Sequence, residues 1–547
     1  PTSAHPTRAK RINRSLTASP WIEARPTRPS RLTPASQPRK TPEAGTSRWN
    51  SPKTLDVVFI TLKAREALAF GIMSLAGALR GAGHNVQLVQ GDDVQALARH
   101  PRVQAADVLA MSATTGLHRK YVLWARQLRR RFPDKALVMG GPHPTFFPEV
   151  IAEASLDGVC IGEGEESFPE FLEALAGGLR RVPPGWWIRR DAGAGAVQRG
   201  EERPPPLDLD LLSPPAYDIL YGQTAAYRSA PNKAFLATRG CPYNCTYCFN
   251  RTLNQRYRKY GCRLRTRDPE ALVDDIQEVR RRWGVKLTWF LDANFVAHRP
   301  WLEAFASCYR RRVGLPYMCK LRPERATARV VRTLVASNCT AVGVGLEAGS
   351  ERLRRTVLGR PVSDQAILDG CRRLKAHGIR ILAFNMLGIP GETLDEALLS
   401  VAFNVACGVD FGAATILQPY PGTEIARQAV ADGRFDGDYD SLEYSYFSPS
   451  PLRFPSQRDR DRITNLQRLF SYAVEFPEVR RRLRALINRP PSELYRHLFA
   501  VRHSWAINHT FYRAFHRDPP RDAGRLEQLR QACMELGVGS GFSAETG

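Results

Sequence analysis

Apolar positions along the chain alternate between two spacings. Leu55–Ile60 (LDVVFI) is a β-branched run of buried-strand type, and the spacing then becomes helical near residues 66–82. The same exchange repeats through NVQLV, DVLAMSATT, ALVMGG and GVCIGEG, with amphipathic stretches at 119–131 and 166–177. Five short strands alternating with helices predict a parallel, doubly wound, Rossmann-like α/β domain over 53–185. Ligands of such sheets sit beyond the strands' carboxyl ends, which here read TLKAR, SATT, GGPHPT and GEGEE.

Proline-rich segments (RVPPGWW, then ERPPPLDLDLLSPPAYD) predict a linker over 186–230. A second alternation follows, with strands AFLATRG, LTWFLDAN, LPYMCKLR, AVGVGLEAG, IRILAFNMLGIPGE and FGAATILQPYPG. Six βα units predict a partial (β/α)6 barrel of the triosephosphate-isomerase type over 231–450, with its chemistry at the strand C-terminal ends. Residues 451–547 lack strand signals and read as a helical region. Residues 1–52 hold only Glu23 and Glu43 as acids among Pro, Ser, Thr and Arg, and are expected to form a disordered basic tail. That tail has the Arg- and Ser-rich composition of a transit peptide or of an over-long gene start.

Composition narrows the function classes. Of 547 residues, 43% are hydrophobic, which is globular. The absence of an apolar run of bilayer length or of a secretory leader pattern makes a cytoplasmic protein the expectation. The formal net charge of +25 suggests nucleic acid at first sight. The arginines, however, sit in helical stretches such as RQLRRRF and EVRRRLRALINR, without interleaved aromatics, so solvated helix faces are expected and nucleic acid is not. Acidic small substrates remain compatible with the charge.

Three of the 11 cysteines, Cys241, Cys245 and Cys248, are clustered in CPYNCTYC, after the first barrel strand. Three thiolates from one loop suit three irons of a [4Fe–4S] cluster and leave the fourth iron open. A structural zinc site would want a closed set of four ligands, and the first His after Cys248 is His298. The other eight cysteines, Cys319 and Cys339 among them, are expected to be mostly core.

CxxxCxΦC with an aromatic before the last Cys, opening a partial βα barrel, resembles the signature of the radical S-adenosylmethionine superfamily. GLEAGSE (Gly345–Glu351), GIPGET (Gly388–Thr393) and PYPGTE (Pro419–Glu424) resemble further motifs of that family, in register with the strands. The resemblance implies S-adenosylmethionine contacts from Tyr247, Asp292, Arg322, Glu347, Gly388, Ile389 and Pro390. Asn294, Arg265 and Arg267 are weaker candidates on the same face.

The N-terminal domain resembles the cobalamin-binding domain of B12-dependent radical S-adenosylmethionine enzymes. Ser112, Thr114, Gly140, Gly141, His143, Thr145, Gly162 and Glu163 are the implied cobalamin contacts. One departure stands out: the DxHxxG pattern that supplies cobalt with a lower histidine is absent. The loop reads TLKAREALAFG, whose Lys63 and Arg65 are either candidates for the corrin's lower face or ordinary solvated side chains.

By this resemblance the chain is expected to cleave S-adenosylmethionine reductively and to methylate an unactivated carbon of a small molecule through methylcobalamin. Oxidative cyclisation or ring rearrangement stays open, and RNA modification is a more distant alternative. An electron donor such as flavodoxin or ferredoxin is implied as partner.

Overall fold

The computed structural model describes residues 54–512 apart from 64, 65, 154, 179, 180, 190–196, 444 and 446; the backbone alone is described for 66–69 and 504–512. The predicted tail, Arg65, Cys533 and residues 513–547 lie outside the described residues.

The first sheet contains β1 (Asp56–Thr61), β2 (Asn85–Gln90), β3 (Val108–Ser112), β4 (Ala136–Gly140), β5 (Gly158–Cys160), β6 (Trp186–Arg189) and β7 (Val197–Arg199), in the order β2-β1-β3-β4-β5-β6-β7. β1 to β5 are parallel, as their alternation with helices requires. Successive side chains serve opposite faces. Val57 and Phe59 join one apolar core with Met73, Phe168 and Phe171, while Val58 and Ile60 join another with Tyr121, Val122 and Leu128. Helices therefore cover both faces.

Residues 186–199 correct the expected linker. WWIR and VQR form β6 and β7; β6 adds antiparallel to β5 and β7 antiparallel to β6, extending the sheet. Trp186 stacks on Phe171 at 4.0 Å, so this tryptophan-rich segment is core despite the prolines flanking it. Short helices at Asp218–Tyr221 and Ala225–Ser229 further structure the proposed linker.

The second sheet runs β15-β14-β13-β12-β11-β8 and is parallel throughout. Its strands are β8 (Asn232–Phe235), β11 (Leu287–Phe290), β12 (Tyr317–Leu321), β13 (Cys339–Glu347), β14 (Arg380–Leu387) and β15 (Phe411–Ile416). This is the expected six-stranded partial barrel. Between β8 and β11 lies an unforeseen antiparallel ribbon, β9 (Thr238–Gly240) with β10 (Leu264–Thr266), in which Arg239 and Arg265 are directly opposed.

The C-terminal region is helical through its described part, at Gln457–Glu475, Pro477–Ile487 and Glu493–Tyr512. The first of these helices lies along β15: Gln467 Nε2 donates to Ala414 O at 3.1 Å, and Gly412 makes room for Val474 and Phe470. Among the described residues no helix is long and apolar enough to cross a membrane.

Candidate active site

The loop that carries the cysteines is anchored before it begins. Asp292, fully buried after β11, accepts hydrogen bonds from Ala237 N at 3.1 Å and Thr238 Oγ1 at 2.7 Å. It pins the turn from β8 into β9, so its carboxylate is committed to backbone. Burial pushes its pKa up, and these hydrogen bonds pull it back.

Downstream, Thr246 N donates to Leu358 O at 3.1 Å, Thr246 accepts through its carbonyl from Ile425 N at 3.1 Å, and Asn254 Nδ2 donates to Cys241 O at 2.8 Å. Cys245 is buried, and Cys241 and Cys248 are half-buried. Burial pushes the Cys241 and Cys248 thiols up, and neighbouring cysteines add to the rise. Donors face the sulfurs: Arg322 Nη1 is 3.7 Å from Cys245 Sγ, and Asn250 Nδ2 is 3.6 Å from Cys248 Sγ.

Among the described residues no three His, Cys, Asp or Glu groups are set to close on a single ion. Three cysteines on one loop can each offer a thiolate to a separate iron of a cubane. The donor set thus fits a [4Fe–4S] cluster held by Cys241, Cys245 and Cys248.

Tyr247 and Ile389 belong to one apolar cluster with Leu353 and Leu417. Above it Glu347 ends β13 at φ +69°, and its Oε1 lies 2.8 Å from Arg360 Nη1. Burial, and then the Glu347 charge, push the Tyr247 phenol well above its ordinary value. A Cβ on Gly345 would fall 2.2 Å from Glu347 Oε1, so a larger residue there would displace that carboxylate. Gly388 turns at φ +74°, and Glu392 closes that turn by accepting from Gly388 N at 2.7 Å and Ile389 N at 3.3 Å. Pro390 is half-buried beside it.

Arg360 is the group sequence reasoning missed. It is 2% exposed, and its Nε and Nη2 atoms have no hydrogen-bond partner. One arginine in an arginine-rich chain carries no signal of its own. Nη2 lies 3.8 Å from Glu324 Oε2, an ion pair beyond hydrogen-bond reach, and cationic donors beside Glu347 and Tyr247 fit the polar end of S-adenosylmethionine. Arg322 is placed differently, on the cluster loop, 4.0 Å over the Tyr243 ring and 2.5 Å from Glu324.

A cavity of about 460 Å³ opens between the first sheet and the barrel, lined by Ser112, Thr114, Gly141, Gly162 and Glu163 on one side and Thr238, Arg239 and Arg267 on the other. A smaller one of about 50 Å³ runs beneath it, past Gly140, Cys160 and Trp186. Gly141 has φ +96°, and a Cβ there would meet Ser112 Oγ at 2.8 Å. Glycine at 141 thus keeps the loops that line the larger cavity close together, and the small-residue lining of that cavity fits a corrin.

Three implied cobalamin contacts, Thr145, His143 and Glu163, have protein partners of their own. Thr145 Oγ1 accepts from Gly162 N at 3.0 Å and donates to Gly141 O at 2.8 Å, stapling two loops together. His143 is buried, stacked on His118 at 3.8 Å and 3.0 Å from Thr115 Oγ1; it lines neither cavity, and burial pushes its pKa down to about 3. Glu163 lines the larger cavity but is held by Arg239 Nη1 at 2.6 Å and Arg265 Nη1 at 3.0 Å. Lys63 is exposed and lines neither cavity. Arg267 pairs with Asp275. Asn294 is buried.

Comparison with known proteins follows this geometry. A family model described as B12 binding domain matches residues 60–172, and one described as Radical SAM superfamily matches 235–403; together they span slightly more than half of the chain. An uncharacterised methyltransferase of Pyrococcus horikoshii is 26% identical over 66% of this chain and 78% of its own length. The cytidylyl-2-hydroxyethylphosphonate methyltransferase of Streptomyces wedmorensis is 22% identical over 62% of this chain and 69% of its own. The solved structure of the cobalamin-dependent S-adenosylmethionine radical enzyme OxsB, with aqua-cobalamin bound, superposes with a TM-score of 0.60 at 14% identity, covering 88% of this chain and 76% of that one. With a corrin cradle packed against a three-cysteine barrel, and both family models matched in that order, the chain belongs to the cobalamin-dependent radical S-adenosylmethionine enzymes.

Proposed function

We propose that this protein transfers a methyl group to an unactivated carbon of a small organic substrate. The observation that carries this is the adjacency of the two sites: Thr238 and Arg239 line the corrin cavity, and the same strand reaches Cys241 two residues later. When bound, S-adenosylmethionine at the cluster supplies hydrogen-atom abstraction, and cobalamin supplies the methyl group.

The chain's own residues position and enclose. Cys241, Cys245 and Cys248 fix the cluster at the mouth of the barrel. Glu347 and Arg360 hold the polar end of S-adenosylmethionine, while Tyr247 and Ile389 give its adenosine an apolar wall. Gly141 and Gly162 let the corrin approach backbone closely. Arg239 and Arg265 clamp the corrin loop onto the ribbon that leads to the cysteines.

Two further features belong to this reading. A small acidic electron carrier of the flavodoxin or ferredoxin kind complements the basic charge of the chain. A reducing compartment such as the cytoplasm suits the ten described cysteines, all of which are free thiols.

The test is anaerobic turnover with methyl-deuterated S-adenosylmethionine and candidate small molecules. An intact deuterated methyl in the product supports methylation. An unlabelled dehydrogenated or rearranged product contradicts it and points to cyclase or rearrangement chemistry.

A further inference from the structure

The inside of the barrel is lined as an open space. On β12, Tyr317, Cys319 and Leu321 join the outer core, whereas Met318 packs inward with Ala341, Leu382 and Phe411. Side chains alternate along a strand, so Lys320 stands on the inward face. Trp289, Lys320, Phe384, Met386 and Thr415 are half-buried at inward positions, while their outward neighbours are buried. A barrel centre filled by its own side chains would bury both sets.

β13 crosses this face with glycine. A Cβ at Gly343 would fall 3.1 Å from Lys320 Cγ and 2.9 Å from Phe384 Cε2. The missing side chain leaves the room in which the lysine stem and the ring lie.

The Lys320 ammonium makes no hydrogen bond or ion pair among the described residues. The acid that acts on it, Asp292, is already occupied by Ala237 and Thr238. Close by, Trp289 Nε1 and both amide atoms of Asn294 are sealed from solvent without partners. Phe295 N donates to Lys320 O at 2.9 Å and ties the Asn294 turn to β12. Folded proteins leave few buried polar groups unpaired, and a cation among orphaned polar atoms is a site waiting for an anion.

We infer that the substrate enters the barrel lumen with an acidic group, a carboxylate or a phosphonate, bound by Lys320, and with its carbon skeleton against Trp289 and Phe384. Two residues on, just past the end of β12, Arg322 reaches Cys245 Sγ at 3.7 Å. At about 3.3 Å per residue the Cα atoms of Lys320 and Arg322 are about 7 Å apart, so the cluster loop lies beyond the lysine toward the strand's C-terminal end. A molecule anchored by its acid thus presents a carbon a few bonds away to the cofactor face. Burial lowers the pKa of the lysine, and an anion opposite it would raise it again.

This inference deepens the proposed function and rests on it for the reaction, though its test needs no turnover. The cofactor-loaded full chain is titrated calorimetrically with benzoate, indole-3-acetate and phenylphosphonate, and with benzamide, indole-3-acetamide and dimethyl phenylphosphonate as uncharged counterparts. At least one acid should bind about tenfold tighter than its counterpart, and Lys320→Met should erase that preference with iron and cobalt content unchanged. Lys320→Arg should keep part of it, and Lys320→Gln replaces the Met variant if that one fails to load its cofactors. Preference for the arenecarboxylates or for the phosphonate identifies the acid.

Absence of binding by every acid, equal binding of every pair, or a preference that survives in the Met and Gln variants overturns the inference. A wild-type chain that prefers acids but never transfers a labelled methyl contradicts the proposed function instead, and leaves Lys320 as an anion site.

Discussion

Arg239 Nη1 lies 2.6 Å from Glu163 Oε2, so an arginine two residues before the first cluster cysteine grips a glutamate of the corrin-binding loop. Its Nη2 reaches Glu165 at 2.6 Å and Ser74 Oγ at 3.0 Å. Arg265, opposite it on the ribbon, takes the other side of Glu163. Ion pairs thus join the ribbon before the cysteines to the loop after β5.

Removing Arg239 leaves Glu163 and Glu165 without their shared partner. Arg239→Ala should cost roughly 3 kcal/mol of stability, the order found for breaking partly buried pairs. It should also weaken cobalamin retention and alter the electron-paramagnetic spectrum of the reduced cluster. Denaturant unfolding, cobalt content after gel filtration and spectra with and without cobalamin check this. A spectrum indifferent to the substitution would mean the clamp does not reach the cluster.

The architecture was legible because periodicity is a backbone property: alternating strands and helices read directly as two parallel sheets. The three cysteines and GIPGET were legible because their spacing is local. What escaped depends on chain segments far apart in sequence. His143 lies in a motif that suggests the corrin, yet its ring stacks on His118. Arg239 and Arg265 look like ordinary surface arginines until the ribbon sets them side by side. β6 was hidden by flanking prolines, although its tryptophans belong to the core.

Gly141 sits at φ +96° against Ser112 and Ala113, where a Cβ would meet three atoms at 3.1 Å or closer. Gly141→Ala should cost about 1–3 kcal/mol through backbone strain and crowd the corrin cradle. Cobalamin affinity should fall while iron content stays unchanged, as cobalt and iron analysis of the same preparation will show.

His143 carries a sign-defined pH dependence. Its pKa is about 3 in the fold, chiefly through burial and then the His118 charge, against an ordinary 6.5. The unfolded chain therefore gains a proton below 6.5 that the folded chain refuses until about 3. Stability should fall as pH drops through that window, by at most about 1.4 kcal/mol per pH unit from this group. His118 and Asp440, 2.8 Å apart, face the same ring, with Asp440 opposing the depression. His143→Gln should flatten that part of the stability-pH curve; equal slopes in both proteins would contradict the assignment.

On the proposed cluster Cys241, Cys245 and Cys248 would each hold a separate iron, so none of them is expected to be dispensable. Each single Ala variant should lose the iron–sulfur absorption and all reductive cleavage of S-adenosylmethionine, while keeping its secondary structure by circular dichroism. Cobalamin content should persist in all three, because the corrin cavity is lined by other residues.

The most direct test is anaerobic reconstitution of the full chain with iron, sulfide and cobalamin, followed by reduction in the presence of S-adenosylmethionine and measurement of 5′-deoxyadenosine. One four-iron cluster and one cobalamin per chain, with 5′-deoxyadenosine formed by the wild type and abolished in Cys245→Ala, is the expected result. A chain that takes up no cluster, or a Cys245→Ala variant that still releases 5′-deoxyadenosine, would contradict it.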